Sequence, residues 1–599
     1  MPPENSSVNG DPGSNEVEQE TQASTPQVVA RRAAASRPRS VAPAEIAQLN
    51  RICKSIALGA LLVVVSVGLF SRFYAAQFSY LEAPAALAQG DIAKRLHRGK
   101  GFITGIAPLV ALDKKAGTNL WQDATYNPVY PVALAIFFRL RGATDASMAL
   151  FNGLVHLATA LLVYLITIRL RGPRTAILAI VLYSLSTEAI RAALNATGIT
   201  VAAFFVTAGI WAALKTNAAQ ALSERKSGRW AAFTGVLFAL AYLSGGLTVL
   251  LFIPALIMVG FNEKRRIAPM VIMTAAFLVV LLPWVARNML VFGTLSPLAC
   301  QYKLIALTST LPGMSVLTKL PGQVPAPLMF AFSAPGEMAL KLANGLAKSL
   351  YLQIPSLLNI YIFPFLLLAG LWAAPGSALR RSWTALAGMV ALQVVIACLY
   401  DWSAGPLQAF MPVGLCIATI TVVSLITTQL QKPAARWIAI ATLVGIAGFP
   451  YASTLVLGEK PTPLAIIRQI APIRQCVAGD ALIATDIPAA LSWYTGVSTV
   501  LLPPRADGLQ DYVAKGADPD YVYFSEKMYR AGPGFWKAYM GNTKAQAAII
   551  GNLREFSDKK DIPPLYERHP KLAPGVGVVK MGTAAPKAPG QAPPTEKSR

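Results

Sequence analysis

A chain of 599 residues that is 54% hydrophobic and 14% charged is too apolar for a soluble globular protein, and its apolar runs recur from Ser55 to Val456. A polytopic membrane protein is expected. The net charge of +24 calls for no nucleic acid, because much of it lies in short connectors between apolar runs, where Lys and Arg set topology, and in the polar ends.

Residues 1–50 are rich in Ser, Pro, Gln, Asn and Ala, acidic first and then basic through Arg31, Arg32, Arg37 and Arg39. That composition predicts a disordered cytoplasmic tail. A cleaved signal peptide is not expected, since the apolar run begins far from the start and no cleavage site follows it. Eleven apolar helices are predicted, near Ser55–Phe70, Ala149–Ile168, Thr175–Thr187, Ile199–Leu214, Trp230–Tyr242, Leu247–Phe261, Ile267–Val285, Tyr351–Ala373, Trp383–Leu399, Leu407–Leu425 and Trp437–Val456. Several fall short of the ~20 residues of a full span.

With the amino end in the cytoplasm, one side receives Arg169, Arg171 and Arg174, then Arg225, Lys226 and Arg229, then Lys264, Arg265 and Arg266, then Arg380 and Arg381, then Lys432 and Arg436. The opposite short connectors hold only Arg191. This is the positive-inside pattern. An odd count places two long loops, about 71–148 and 287–350, outside the cytoplasm together with everything from Leu457. The segment NPVYPVALAIFFRLRG, Asn127 to Gly142, would invert that topology if it crossed; its shortness, two prolines, Arg139 and Arg141 predict a helix lying at the interface.

The first long loop is basic, with Lys94, Arg95, Arg98, Lys100, Lys114 and Lys115. Long loops are largely exempt from the positive-inside rule. The residues therefore leave two readings open, an amphipathic helix against anionic head groups or a grip on a phosphate-bearing lipid substrate. After Val456, DALIATD, STVLLP, DYVYFS and GVGVVKM read as strands between helical stretches such as PAALSWY and FWKAYMGNTKAQAAIIGNL. A small outer α/β domain is expected over 457–582, followed by a disordered tail over 583–599. It shows no phosphate-binding glycine loop, no GxSxG and no zinc spacing, which favours a lid or docking surface over a separate active site.

Five cysteines show no metal spacing; Cys53, Cys398 and Cys416 lie in or beside apolar runs, while Cys300 and Cys476 are either a pair on an oxidising face or two free thiols. His97 and His156 lack ligand spacing, and His156, alone on an apolar helix, reads as a buried hydrogen-bonded residue. Trp284, Trp383 and Trp437 near helix ends read as interfacial anchors.

Four segments, in order, resemble the GT-C superfamily of membrane glycosyltransferases, in particular the dolichyl-phosphate-mannose protein mannosyltransferase-like and aminoarabinose transferase-like bacterial group. IAKRLHRGKGF is similar to the family's segment after the first helix, and NPVYPVALAIFFRLRGATDASMALFNGL to its proline-tyrosine element. LPWVARNMLVFGTLSP, Leu282 to Pro297, resembles its exit into an outer loop, and TDIPAALSWYTGVSTVLLPP, Thr485 to Pro504, its outer-domain stretch. The resemblance covers roughly Arg51 to Met581. It implies a polytopic α-helical membrane protein of GT-C-like fold, here with about eleven transmembrane helices, a long first outer loop with interfacial helices and a small C-terminal α/β outer domain, in a bacterial inner membrane. It implies transfer of a sugar from a polyprenyl-phosphate donor at the outer face to a lipid, glycan or protein acceptor, among membrane lipids.

Such chemistry needs a base near the acceptor hydroxyl and cations near the departing phosphate. Arg287, Lys114 and Lys115 are the candidate cations. The family's usual first-loop acid falls here in APAALAQG, which has none, so the candidate bases are Glu82, slightly earlier, Asp91, adjacent and otherwise a helix N-cap or first-turn acid, and Glu188 in the second outer connector. Asp113 and Asp123 either contribute or are simply solvated. Tyr126 and Tyr130 are candidates for the sugar or acceptor site. The chemistry admits a divalent metal, for which no ligand set stands out. A catalytically inactive relative that binds lipid-linked sugar or scaffolds envelope enzymes is the alternative; a lipid or solute transporter is a further one, against which stand the absence of a visible repeat and of charge within the spans.

Overall fold

In an apolar solvent a chain must satisfy its backbone hydrogen bonds internally, and long helices are how these apolar runs do so. The computed structural model describes residues 43–220, 223–245, 248–260, 267–311, 320, 325–353, 377–400, 405–458, 470, 473–503, 508–523, 525 and 565–567. The chain divides into two units, 1–58 and 59–599. The described part of the first is the start of a helix; the second carries all that follows.

In chain order the helices are α1 (Pro43–Gln77), α2 (Pro84–His97), α3 (Val129–Arg141), α4 (Asp145–Arg171), α5 (Pro173–Ser184), α6 (Thr187–Leu194), α7 (Gly198–Gln220), α8 (Glu224–Gly245), α9 (Phe252–Gly260), α10 (Ile267–Phe292), α11 (Leu298–Lys303), α12 (Pro335–Lys348), α13 (Ser377–Tyr400), α14 (Met411–Gln429) and α15 (Pro433–Leu457). Among the described residues six helices are long and apolar enough to cross a membrane: α1 from Ala57, α4, α7, α10, α14 and α15. The pair α5 and α6, bent by 53°, makes a seventh if counted as one span.

The sequence predicts about eleven, because it counts every apolar run. Most of the expected Tyr351–Ala373 span lies outside the described residues, and the expected Leu247–Phe261 span is a short apolar stretch over Val249–Gly260. Two other boundaries differ. Helix α1 begins at Pro43, inside the expected tail. The second outer connector is itself helical: Ser186 breaks α5 from α6 and caps the latter, its hydroxyl accepting from Ala189 N at 3.4 Å. Helix α3 has 13 residues, about 20 Å at 1.5 Å per residue, which is short of a span, as its prolines and arginines predict.

Packing inside the bundle follows helical periodicity. On α10, Met273, Phe277, Leu281, Trp284 and Asn288 are buried at steps of three and four, while Val271, Leu278, Val279 and Leu282 face outward. An apolar outer face and an inner face carrying a few polar groups is what lipid surroundings favour. Helix α8 meets α10 at Gly235, where an added Cβ would lie 2.1 Å from the Met273 carbonyl oxygen. Only glycine lets the two backbones approach so closely.

The outer part is built around a five-stranded sheet of order β2-β6-β5-β7-β8, with β5 (Leu482–Thr485), β6 (Ser498–Leu501), β7 (Tyr521–Tyr523) and β8 (Leu565–Glu567) from the carboxyl region. Helix α16 (Pro488–Thr495) connects β5 to β6. These match DALIATD, STVLLP, DYVYFS and PAALSWY; the expected strand GVGVVKM and helix FWKAYMGNTKAQAAIIGNL lie outside the described residues. The sequence did not suggest the other two strands, β8 and one from the first loop. β2 (Ile106–Ala107) comes from the first loop and pairs in parallel with β6, Ile106 opposite Thr499. The loop also forms its own small antiparallel sheet from β1 (Ile103–Thr104), β4 (Leu120–Gln122) and β3 (Lys115–Gly117).

Two carboxylates lock this assembly. Asp91 is buried on α2, ion-paired to buried Arg95 at 3.0 Å, and accepts from Gly105 N at 2.9 Å, while Gly105 O accepts from Thr499 N at 2.7 Å. A Cβ on Gly105 would lie 2.0 Å from an Arg95 nitrogen. Asp145, in the first turn of α4, accepts from Trp493 Nε1 and Tyr494 Oη, both at 2.7 Å, and from Leu81 N at 3.1 Å. The Trp-Tyr pair of the outer domain is thus bonded to the start of a membrane helix.

Candidate active site

The segment QDATYNP, between β4 and α3, turns sharply because Asp123 Oδ2 accepts from Thr125 N at 3.2 Å and Tyr126 N at 2.7 Å. Beside it runs the carboxyl-terminal part of α10, with Arg287 five residues before its end. Arg287 Nη1 donates to Asp123 O and to Asn288 Oδ1, each at 3.0 Å, and Nη2 donates to Gln122 Oε1 at 3.1 Å. The guanidinium carbon lies 4.8 Å from the Trp284 ring, 4.9 Å from Phe292 and 5.6 Å from Phe102. Three aromatic faces and three neutral acceptors fix the fork, yet Arg287 has no ion-pair partner among the described residues.

Three features make this constellation chemically unusual. Burial pushes the Asp123 carboxyl up to about 6, against the turn hydrogen bonds and the Arg287 charge, which lower it, and with the nearby Asp91 charge, which raises it. Its Oδ1 has no hydrogen bond among the described residues, both turn bonds going to Oδ2. Beside Arg287, the buried Asn288 Nδ2 also lacks a partner. A held cation, an unpaired donor and a carboxylate poised near neutrality are the parts needed to receive an anion and take up a proton.

The neighbourhood is closed by Asn127, whose Nδ2 donates to Tyr242 O at 2.7 Å and whose Oδ1 accepts from Trp284 Nε1 at 3.2 Å. Trp284 is therefore a buried, hydrogen-bonded wall and not the interfacial anchor its helix-end position suggests; Trp437 is 68% exposed, and the Trp383 side chain lies outside the described residues. Helix α11 closes over the turn, Ala299 N donating to Ala124 O at 3.1 Å. Burial raises the Cys300 thiol, which is free; the Cys476 side chain lies outside the described residues.

The other candidates are spread over the loop. Glu82 is exposed and accepts from Tyr80 Oη at 2.5 Å. Asp91 is neither an N-cap nor in a first turn: it sits in the second half of α2, and its Oδ2 is occupied by Arg95 and Gly105 N. Glu188 is paired to Arg191 at 3.0 Å on the first turn of α6. None of the three hydrogen-bonds or ion-pairs with Arg287. Lys114 pairs with Asp113 at 3.3 Å, and Lys115 donates to Gly516 O while lying over Trp121. Tyr126 is half-buried beside Asp123, and burial and that carboxylate push its phenol up. Tyr130 is fully buried, donating to Ala196 O at 2.5 Å and accepting from Asn152 Nδ2 at 2.8 Å.

Asp123 is not the solvated acid that a loop position permits. Gln122, Asn288, Phe102 and Trp284 carry no signal in a single sequence beyond flanking Asp123 and the PWVARN stretch. His156 is buried, stacked 4.8 Å from Tyr183, with Nδ1 unpartnered where a hydrogen bond is expected. Among the described residues no group of three His, Cys, Asp or Glu side chains forms a metal cluster.

Residues 125–286 match the family model for dolichyl-phosphate-mannose-protein mannosyltransferase, a segment running from the Asp123 turn almost to Arg287. The fold is similar to the archaeal oligosaccharyltransferase AglB from Archaeoglobus fulgidus in complex with an inhibitory peptide and a dolichol-phosphate, with a TM-score of 0.55 and 13% identity over 84% of this chain and 73% of that one. It is also similar to the Archaeoglobus fulgidus oligosaccharyltransferase tethered with an acceptor peptide, with a TM-score of 0.53 and 13% identity over 85% and 74%. ArnT from Cupriavidus metallidurans bound to undecaprenyl phosphate aligns with a TM-score of 0.48 and 12% identity over 80% and 94%. No curated protein sequence matches the chain. Over residues 125–286 this multi-pass membrane chain thus matches the mannosyltransferase family model, and its fold is similar to that of the oligosaccharyltransferase structures.

Proposed function

We propose that the chain is a glycosyltransferase that moves a sugar from a polyprenyl-phosphate donor to an acceptor hydroxyl on a lipid, glycan or protein, on the face opposite the arginine-rich connectors. The observation that carries this is Arg287, immobilised without an ion pair beside buried Asp123. The likeness to a fold that holds dolichol-phosphate in one member supports a polyprenyl-phosphate over a nucleotide donor.

In the transfer, the bond between the anomeric carbon and the phosphate oxygen breaks and its electron pair leaves with the phosphate. The acceptor oxygen bonds to that carbon, and its proton passes to Asp123 Oδ1. Arg287 and Asn288 Nδ2 meet the charge developing on the phosphate, a contribution of about 10²–10³ in rate for one well-placed donor. Asp123 takes the role of base ahead of Glu82, Asp91 and Glu188, and Tyr126 borders the sugar; Lys114 and Lys115 lie farther along the loop and act on approach of the anionic donor.

The test is sugar transfer in proteoliposomes supplied with a panel of polyprenyl-phosphate sugars. Asp123→Asn and Arg287→Ala are expected to lose at least 100-fold, and Glu82→Gln and Glu188→Gln to stay within about threefold of wild type. Full activity of Asp123→Asn would remove Asp123 as base. Donor binding without turnover of any panel member would leave a catalytically inactive relative that holds lipid-linked sugar.

A further inference from the structure

The basic first loop does not act as one group. Lys94 and Arg98, one turn apart at the end of α2, meet Arg474 of the carboxyl region across a cleft of about 210 Å³, lined also by Val477, Gly479 and the Thr495–Val497 segment. Among the described residues no carboxylate lines this cleft, and it shares no residue with the Arg287 constellation. Neither the Arg98 nor the Arg474 guanidinium has a hydrogen-bond or ion-pair partner among the described residues, and both are exposed.

Lys94 is half-buried at the floor. Its Nζ donates to Trp493 O at 3.1 Å and lies 5.1 Å from the Trp493 ring, which pins it at the carbonyl end of α16. Burial lowers its pKa, and Arg98, Arg474 and Arg95 lower it further, with Asp91 alone opposing. Three like charges drawn together from segments remote in sequence repel each other unless an anion joins them. The two free forks suit the bidentate geometry of phosphate oxygens.

We propose that this cleft is a second anion site that binds a phosphate monoester or diester through Arg98, Arg474 and Lys94. Its volume, below the roughly 300–1,000 Å³ of sites that enclose a drug-sized molecule, suits a phosphate-bearing head group. The ligand is either a phospholipid head group or a soluble phosphate ester, and the same chemistry recognises both.

The test is calorimetric titration of the purified full chain in neutral detergent with inorganic phosphate and, separately, with dihexanoyl phosphatidic acid. Wild type is compared with Arg98→Ala and Arg474→Ala, both exposed positions, with thermal melts confirming the fold. Loss of at least tenfold in affinity in both variants is expected for the probe that binds. Binding of inorganic phosphate identifies a soluble ester as sufficient; binding of the lipid alone identifies a head group. Any phosphate held at Arg287 persists in both variants, so the difference reads the cleft and is separable from the transfer reaction. No binding of either probe, or affinity unchanged in the variants, overturns the proposal.

Discussion

Asp123 is a buried carboxylate whose Oδ1 accepts no hydrogen bond among the described residues. An unfolded aspartate ionises near 3.8, and the folded one near 6, so the unfolded chain releases its proton first as pH rises. Folding stability therefore falls between those values, by roughly 3 kcal/mol at about 1.4 kcal/mol per unit, and the penalty stays in full above about pH 6. Asp123→Asn keeps an oxygen for the Thr125 and Tyr126 amides and removes the charge. It is expected to melt no lower than wild type at pH 7.5 while losing transfer activity, a pairing that thermal melts and the proteoliposome assay check together. Activity of the wild type is expected to climb through about pH 6 as Asp123 ionises, and a flat profile from pH 5 to 8 would contradict its role as base. Arg287 was legible in the sequence because PWVARN combines a membrane-helix end with an unneeded charge. The depth at which Asp123 sits was not, since burial comes from α10 and α11 closing over a turn, and nothing in QDATYNP itself reports that.

At the scale of elements, Asp91, a candidate base in the sequence, and Asp145, which the sequence did not single out, both act as fasteners. Asp91→Ala would strand buried Arg95 and free the Gly105 amide; a loss of about 3–5 kcal/mol is expected, read as a lower midpoint in denaturant or a lower melting temperature. Asp145→Ala removes three hydrogen bonds to one carboxylate and is expected to loosen α16, seen as faster amide exchange over residues 482–501 with α10 unaffected. The alternation of short strands and helices after Val456 was readable because each carries its own local pattern. The contribution of β2 was not: two residues, Ile106 and Ala107, are too few for any periodicity, and their strand exists only because β6 offers an edge.

Across the whole molecule, the positive-inside pattern leads one to expect the arginine-rich connectors on one side and the carboxyl-region sheet, the Asp123 turn and the basic cleft on the other. Single cysteines introduced at Arg174 and at Asp480, in a chain lacking its own cysteines, are expected to react with an impermeant maleimide from opposite sides of sealed vesicles. Labelling of both from one side would reverse the assigned topology. Helix number was the least legible whole-molecule property. Apolar runs are equally apolar whether they cross or bend as α5 and α6 do, and only packing separates those outcomes.

The strand shared between the first loop and the carboxyl region also has a consequence in time. Lys94 and Trp493 are 399 residues apart, and at about 5–20 residues per second of synthesis the first loop emerges roughly 20–80 s before its partner strand. During that interval β2 has no neighbour on the β6 side, and the Asp91–Arg95 brace has no sheet to hold. The five-stranded sheet therefore completes last, and a ribosome that stalls before residue 498 leaves β2 without its partner strand.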